Sequence, residues 1–219
     1  MLRGVADYLV KQGTIGELSH ATKVPNLFIM PAGTRAPNPG ELLAQNRVGE
    51  LIQEALRVLR QRGVRRALVT GGGDMAAGDP PPGKNGWRIE VAPLDVTNAP
   101  PARFVLLARC GLATSGDLFQ RLEIDDRRYS HVVDPRTGLG LTDHSLVTVM
   151  AQDAMTADGL SKVVSVLGPE KGFTRVEETP RAAAYVVRVP ETTIQTKETR
   201  HFRNYLEVTQ PQAALGDLP

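Results

Sequence analysis

The apolar residues of this chain come in short runs that glycine and proline interrupt, and this pattern limits the folds open to it. The 219 residues include 21 glycines and 16 prolines. No Gly-X-Y period runs through them, which excludes a collagen-like helix. No apolar stretch approaches the roughly 18–20 residues that span a bilayer. We therefore expect short strands joined by tight turns, together with a few helices.

Two segments have the three- and four-residue apolar spacing of amphipathic helices. Residues 46–62 carry such a stripe, and Gly63 follows where a helix can close. Residues 156–167 begin at Thr156, a good N-cap, and end before Gly168, which is followed by proline. Both segments are predicted to be helices.

Alternating or continuous apolar runs predict strands between and after these helices. The predicted strands are residues 67–69, 87–91, 104–108, 118–124, 129–133, 146–150 and 185–189. The order of elements does not alternate strand and helix as in βαβ units. We therefore predict an α+β fold with a mixed or antiparallel sheet and packed helices.

Charge and cysteine content exclude several classes of function. The net charge is only +2, which is too weak an imbalance to indicate a nucleic-acid partner. The one cysteine, Cys110, excludes an internal disulfide and a Cys-rich zinc site, and its place after an apolar run predicts a buried thiol. The first twenty residues have no signal-peptide core, so the sequence as written leads us to expect a cytoplasmic location and no membrane span.

Two glycine-containing clusters are candidate phosphate or flavin sites. Glycine lets a ligand approach the backbone, whose N–H groups can bind phosphate oxygens. The first cluster is Gly71, Gly72, Gly73 and Asp74, and the second is Thr114, Ser115, Gly116 and Asp117. The first matches neither the Walker A loop nor the dinucleotide fingerprint. A plain turn is the alternative for both clusters.

A third cluster surrounds His131. Strand alternation would place Tyr129, His131 and Val133 on one face, with Arg136 and Thr137 in the turn that follows. A histidine at a strand end near an arginine is a plausible general base beside an anion site. The alternative is a structural histidine, and a second histidine, His144 in the sequence TDHS, is predicted to lie in a loop.

The fourth cluster lies at the start of the second helix. Asp158 can bind a hard cation such as Mg²⁺, which prefers carboxylate oxygens. The alternatives are a carboxylate that stabilises the helix dipole, or a surface ion pair with Lys162 four residues later.

These clusters occur in the same order in the FAD:protein FMN transferases, the ApbE-like family, which the chain resembles over about residues 48–207. The matching segments are GGGD at 71–74, WRIEV at 87–91, ATSGD at 113–117, SHVVDPRTG at 130–138 and TADGL at 156–160. The resemblance implies an enzyme that moves FMN from FAD to a threonine hydroxyl of a target flavoprotein and releases AMP, with magnesium assisting. An acceptor flavoprotein with a threonine-containing motif is the implied partner. Members of the family are usually exported or membrane-anchored, so the resemblance leaves the compartment open beside the cytoplasmic location expected from the sequence as written.

The resemblance also implies roles for individual residues. His131 would remove the proton from the acceptor threonine, and Asp158 would bind the metal. The residues implied to lie near the flavin are Gly72, Gly73 and Asp74 of the glycine turn, and Thr114, Ser115, Gly116 and Asp117 of a second loop. Arg136 and Thr137 would complete the His131 motif.

The chain departs from the family pattern in two places. Lys162 stands where the family has a metal-binding threonine. A lysine there would either repel Mg²⁺ or replace it with its own ammonium group. We take the second as a hypothesis, in which the Lys162 ammonium neutralises part of the negative charge of the pyrophosphate. The segment before residue 46 does not resemble the family's N-terminal half, and residues 4–43 instead resemble a fragment of the bacterial tyrosine kinases that control polysaccharide chain length.

The predicted organisation is an appended segment, residues 1–45, without a phosphate-binding loop, followed by a transferase-like domain, residues 46–219. Within the first segment we predict a short helix at 4–10, a strand near 27–30 and a linker at 31–40. The alternative to an active transferase is a catalytically incompetent flavin-binding remnant of the family.

Overall fold

The computed structural model describes residues 2–25, 27–35, 47–96, 98–118, 121–190 and 193–207. In chain order the elements are α1 (Val5–Leu9), α2 (Ile15–Leu18), β1 (His20–Ala21), β2 (Phe28–Ile29), α3 (Arg47–Gln61), β3 (Leu68–Gly71), β4 (Asp74–Ala77), β5 (Trp87–Val91), β6 (Arg103–Leu107), β7 (Cys110–Gly116), β8 (Arg121–Ile124), β9 (Arg127–Ser130), β10 (Val133–Asp134), β11 (Leu139–Gly140), β12 (His144–Ala151), α4 (Ala154–Glu178), β13 (Ala183–Val189), β14 (Gln195–Glu198) and a 3₁₀ helix (Arg200–Tyr205). No helix in these ranges is long and apolar enough to cross a membrane.

A six-stranded sheet forms the centre of the fold. Its strand order is β14-β13-β12-β7-β4-β3, and every described neighbour pair in it is antiparallel. β7 and β12 are the two central strands and are buried along most of their length. The predicted α+β fold with an antiparallel sheet is therefore confirmed.

The two faces of the sheet support different layers, because alternate residues of a strand point to opposite sides. Ala113, Val147 and Val186 pack with apolar residues of α4 on one face. Leu112 and Met150 point to the other face, where they pack with the β5–β6 hairpin and the 3₁₀ helix. Helices thus cover one side of the sheet and a hairpin covers the other.

The predicted amphipathic helix is confirmed as α3, which packs its apolar side on β3 and β4 and contacts α4. Ile52 is buried in this contact, and Gly71 of β3 lies against it. Gly63, just beyond the helix, has a φ of 85°. This left-handed conformation is the one that glycine adopts easily after a helix end.

The second predicted helix is α4, and its interruption is where the sequence indicates. Gly168 has a φ of 76° and Pro169 follows it, so the chain turns there and a second helical stretch begins. That stretch folds back on the first, because a Cβ added to Gly172 would lie 2.6 Å from the Cα of Val164. The predicted N-cap at Thr156 is wrong: Asp153 caps the helix by accepting a hydrogen bond from the Thr156 N–H at 2.8 Å.

The predicted strand over residues 129–133 is also wrong in its middle. β9 ends at Ser130, the chain bends at His131 and Val132, and β10 begins at Val133. The bend has a local cause: the Ser130 hydroxyl accepts a hydrogen bond from the Val132 N–H at 3.1 Å. His131 therefore lies in a bend between two hairpins and not within a continuous strand.

The N-terminal segment packs against α3 through α1 and α2. The predicted helix is α1, and the predicted strand is reduced to β2. Asp7 is buried and accepts hydrogen bonds from the N–H groups of Gly4 and Thr34, which ties α1 to the segment after β2. Residues 36–40 of the predicted linker lie outside the described residues, and the division into two domains stays a prediction.

Cys110 is buried at the start of β7, and burial raises the pKa of its thiol. This agrees with the buried structural thiol that the sequence predicts.

Gly111 of β7 permits the closest contact between α4 and the sheet. A Cβ at this position would lie 2.2 Å from the backbone N of Ala154 and from the carbonyl carbon of Asp153. We expect Gly111→Ala to lower the free energy of unfolding by about 1–3 kcal/mol, because backbone atoms must shift to admit the methyl group. Urea unfolding measures this change.

Gly159 is the matched control for that substitution. It lies within α4, and apart from the neighbouring backbone of the helix no atom of the described residues lies within 4 Å of an added Cβ. Gly159→Ala should stabilise the protein by up to about 1 kcal/mol through helix propensity. Equal unfolding curves for the two variants would contradict the close approach at Gly111.

Candidate functional site

The glycine cluster forms a two-residue turn between β3 and β4. Gly71 pairs with Asp74 across the hairpin, so Gly72 and Gly73 make the connection. Their φ angles are 63° and 103°, which side chains other than glycine rarely adopt. The tight turn that was the alternative prediction is therefore present, and among the described residues no atom lies within 4 Å of a Cβ added at Gly72. Binding of a phosphate or flavin ligand at this turn stays a prediction.

Asp74 at the end of this turn lies close to the start of α4. The pKa of the Asp74 carboxyl is raised to about 7, mainly by burial and also by the negative charge of Asp158, while the Lys162 ammonium opposes the rise. Lys162 Nζ contacts Oδ1 of Asp158. These three side chains form what we call the acid–lysine cluster: Asp74, Asp158 and Lys162.

The Asp158–Lys162 pair expected as a surface alternative does form, but it is not on the surface. Asp158 is only 6% exposed. Its charge is therefore poorly solvated, and the nearby ammonium is the group that compensates it. Asp158 is therefore a buried carboxylate near a second carboxylate. This environment differs from the two alternatives that the sequence left open, a carboxylate that stabilises the helix dipole and a solvent-exposed ion pair.

Ser161 fixes the rotation of α4 over the sheet. Its hydroxyl lies 2.7 Å from the hydroxyl of Ser115 on β7, and it also donates to the backbone oxygen of Asp158 at 2.8 Å. Ser115 and Ser161 are both buried. Because Ser161 faces the sheet, the next residue, Lys162, is turned away from β7 and towards Asp158.

The second candidate cluster is not a loop, and this part of the prediction is wrong. Thr114, Ser115 and Gly116 belong to β7, a central strand. Strand alternation separates them: Ser115 faces α4, whereas the Thr114 hydroxyl lies 3.0 Å from that of Thr148 on the opposite face. Small residues are needed here by packing, because a Cβ at Gly116 would lie 2.2 Å from the Ser145 oxygen.

Asp117, just after β7, is buried and is the centre of a polar network. It is 1% exposed and accepts hydrogen bonds from Arg128 at 3.2 Å and from the Ser145 N–H at 3.3 Å. Nδ1 of His144 lies 2.8 Å from Oδ1 of Asp117, and Nε2 lies 3.0 Å from Oδ1 of Asp95. These contacts engage both carboxylate oxygens of Asp117. A contact between Asp117 and the flavin cofactor stays a prediction.

The residues of this network were not predicted to meet. His144 is the first residue of β12 and not a loop residue as predicted. It meets Asp117 because the register of β7 and β12 pairs Gly116 with Leu146. Local sequence gives no signal for a contact that depends on strand register.

His131 lies in the wall of a groove of about 580 Å³. The groove is lined by residues of the β8–β9 hairpin, by His131 and by residues 138–140. Leu122, Ile124 and Leu139 are exposed there. His131 is exposed as well, so a macromolecule can reach its ring.

The turn after His131 holds Arg136 and Thr137. Arg136 binds both carboxylate oxygens of Asp134, the shortest contact being 2.7 Å, and this holds the pKa of Asp134 below its usual range. The Thr137 hydroxyl accepts a hydrogen bond from the Leu139 N–H at 3.2 Å. Both side chains therefore stabilise the β10–β11 hairpin, and their proposed part in ligand binding stays a prediction.

The predicted site residues thus fall into three groups, one of which is Asp117 at the end of β7 in its network with His144 and Arg128. Asp74 and Asp158 meet in the acid–lysine cluster, with Ser115 nearby through Ser161. His131 lies with the hairpins that line the groove. No group of three or more His, Cys, Asp or Glu side chains in the described ranges is arranged to hold a metal ion. The carboxylates of Asp74 and Asp158 are oxygen donors that suit a hard cation, but Lys162 already contacts Asp158.

The fold and this arrangement define an α+β domain in which a glycine turn and a helix start bring two carboxylates together. Residues 48–186 match the model of the ApbE family, and the chain belongs to that family.

The curated relatives are named FAD:protein FMN transferases. The protein of Klebsiella pneumoniae strain 342 is 38% identical over 157 residues, which cover 68% of this chain and 43% of that protein. The protein of Haemophilus influenzae is 30% identical over 165 residues, covering 73% and 46%. The chain spans less than half the length of these relatives.

Two solved structures share the fold. The apo form of the Pseudomonas stutzeri flavinyl transferase ApbE superposes with a TM-score of 0.59 at 33% identity, covering 72% of this chain and 49% of that one. The flavin transferase ApbE of Vibrio cholerae gives a TM-score of 0.61 at 26% identity, covering 72% and 50%. The resemblance of residues 4–43 to the polysaccharide kinases stays a prediction.

The raised pKa of Asp74 predicts a pH-dependent stability when no divalent cation is bound. The native state holds a proton that the unfolded chain releases near pH 3.8, and the native carboxyl releases it near pH 7. The stabilisation is therefore complete below pH 3.8 and is lost as the pH rises through about 7. Relative to Asp74→Asn, we expect the wild-type free energy of unfolding to fall by about 1 kcal/mol or more over this range. Urea unfolding in EDTA measures it, and parallel pH profiles would contradict the shift.

The network around Asp117 predicts that this residue stabilises the fold, and experiment can distinguish this role from a role in flavin binding. Asp117→Asn should lower the free energy of unfolding by about 2–3 kcal/mol, because it weakens the hydrogen bonds of a buried charged acceptor. Asp125→Asn, in the exposed β8–β9 turn with a φ of 48°, is the control and should change stability little. Thermal unfolding gives the stability, and FAD titration shows whether binding changes. A loss of FAD affinity at unchanged stability would instead favour a direct flavin contact.

Proposed function

We propose that this chain carries the catalytic part of an FAD:protein FMN transferase, which moves FMN from FAD to a threonine hydroxyl of a target flavoprotein and releases AMP. The observation that supports this best is the meeting of two motifs far apart in the sequence. Asp74 of the GGGD turn and Asp158 of the TADGL helix start share one cluster. Membership of the ApbE family and the names of the curated relatives agree with this function.

The proposed reaction is a phosphoryl transfer in which positioning and charge compensation supply most of the rate enhancement. The acceptor oxygen forms a bond to the phosphorus on the FMN side of the pyrophosphate. The bond from that phosphorus to the bridging oxygen breaks, and AMP leaves with that oxygen. His131 accepts the proton of the threonine hydroxyl in this proposal, and its exposed position in the groove would admit an acceptor segment.

The uncovered Gly72–Gly73 turn is proposed as the place where the flavin phosphates approach the backbone. In the part of the chain that the structure describes, no atom lies within 4 Å of a Cβ added at Gly72. The end of β7, from Thr114 to Asp117, would support this turn, since Gly73 lies beside the Thr114 oxygen. Arg136 and Thr137 would contribute indirectly, by stabilising the β10–β11 hairpin next to His131.

Magnesium assistance is part of the proposal. Asp158, with Asp74 beside it, would hold the ion through carboxylate oxygens, and the ion would neutralise charge on the phosphates. Lys162 supplies a positive charge at the same place, through its contact with Asp158.

A flavin-binding protein without turnover is the second candidate. The observation that favours it is the Lys162–Asp158 contact, because it engages the carboxylate that the reaction would need for a metal ion.

The test is incubation of the purified chain with FAD, magnesium and a threonine-containing acceptor peptide, read by mass spectrometry. We expect the peptide to gain one FMN and AMP to appear. His131→Ala should slow the transfer by about 100-fold or more, as expected for loss of a general base. His201→Ala, on the exposed side of the 3₁₀ helix, is the control and should transfer like the wild type.

Two other results would separate the candidates. FAD binding without any mass gain on the peptide would support the flavin-binding protein. No binding of FAD would overturn both functions for this chain.

A further inference from the structure

We propose that the Lys162 ammonium is the resident counter-ion of the Asp74–Asp158 carboxylate pair, so that the chain binds divalent cations weakly at this position until Lys162 is removed. The inference rests on the proposed function in one respect: it takes the Asp74–Asp158 pair as the place where the metal ion would bind.

The geometry of α4 places Lys162 on the carboxylate. Lys162 follows Asp158 by four residues, so the two side chains lie on the same face of the helix in successive turns. The ammonium contacts Oδ1 of Asp158 directly. Ser161 between them is held to Ser115 of β7, which fixes the rotation of this part of the helix.

The burial of the pair distinguishes it from an ordinary helix-surface ion pair. The Asp158 side chain is 8% exposed and that of Lys162 is 30% exposed. A carboxylate with so little access to water depends on a neighbouring positive group. The Lys162 ammonium meets this need, although 30% of the Lys162 side chain stays exposed to solvent.

The same contact opposes a divalent cation. The ammonium already engages one of the two carboxylate oxygens of Asp158, and an ion bound there would lie beside a like charge. With a divalent ion bound, both carboxylates are ionised, and together with the one ammonium they carry a single negative charge. A divalent ion would then leave an excess positive charge, whereas without Lys162 the same ion would balance the pair.

The consequence for the proposed reaction is a fixed positive charge that does not depend on the metal concentration. A tethered ammonium at the acid–lysine cluster can share the charge of a phosphate ligand with whatever metal is present. This chain should therefore differ in metal requirement from a protein with a neutral residue at position 162.

Titration with Mn²⁺, followed by the electron paramagnetic resonance signal of the free ion, tests the inference without any measurement of activity. We expect Lys162→Met to bind Mn²⁺ about tenfold more tightly than the wild type, because the like charge is gone. Lys171→Met removes an exposed lysine from the second half of α4 and is the matched control, which should bind like the wild type. Lys162→Arg keeps the charge and should also bind weakly.

The location of the added site is checked by a double variant. Asp158→Asn combined with Lys162→Met should lose the gain in Mn²⁺ affinity. Lys162→Gln serves the same purpose as Lys162→Met if the methionine variant does not fold. Equal or weaker Mn²⁺ binding by the neutral variants would overturn the inference, as would a gain that survives in the double variant.

Assays of FMN transfer on the same proteins separate this inference from the proposed function. A gain in Mn²⁺ affinity without transfer by any variant would support the counter-ion and count against the transferase. Transfer by the wild type with unchanged Mn²⁺ binding in Lys162→Met would support the transferase and overturn the counter-ion.

Discussion

The close contact between α4 and β7 is the interaction on which the rest of the structure depends. Gly111 lets the start of α4 approach the strand backbone, and the Ser115–Ser161 hydrogen bond fixes the helix above it. With both contacts in place, Asp158 lies close enough to Asp74 of the glycine turn for its charge to raise the pKa of that carboxyl. A side chain at Gly111 or a different rotation of α4 would separate these two carboxylates, so a packing constraint in the core sets the electrostatics of the candidate site.

Two buried acids near one end of the sheet are compensated in different ways. Asp117 is surrounded by Arg128, the Ser145 N–H and His144, and its contacts hold together strands that are distant in sequence. Asp158 depends on Lys162 of its own helix. The first arrangement is a fixed network that joins β7 to its neighbours. The second leaves a lysine side chain in contact with solvent, where a ligand or metal ion can compete for the carboxylate.

Patterns that act over a few residues predicted much of the fold. The stripe of α3, the Gly72–Gly73 turn and the stop at Gly168 follow from side-chain periodicity and from the conformational freedom of glycine, which act locally. Predictions failed where distant contacts decide the outcome. The small polar residues of Thr114–Asp117 look like a turn, yet burial between two strands makes them part of β7. The alternation expected around His131 fails for a local reason instead, because the Ser130 hydroxyl accepts a hydrogen bond from the Val132 N–H and closes a bend.

The sequence by itself determined the family of this protein, through the order of its GGGD, SHVVDPRTG and TADGL motifs, together with the positions of its long helices and of its glycine turn. Only the tertiary structure decided which motifs meet. Asp74 joins Asp158 and Lys162, while His131 lies in the wall of a groove. The physical reason is that strand register and close helix packing bring together residues far apart in the chain, and neither leaves a signal in the residues nearby.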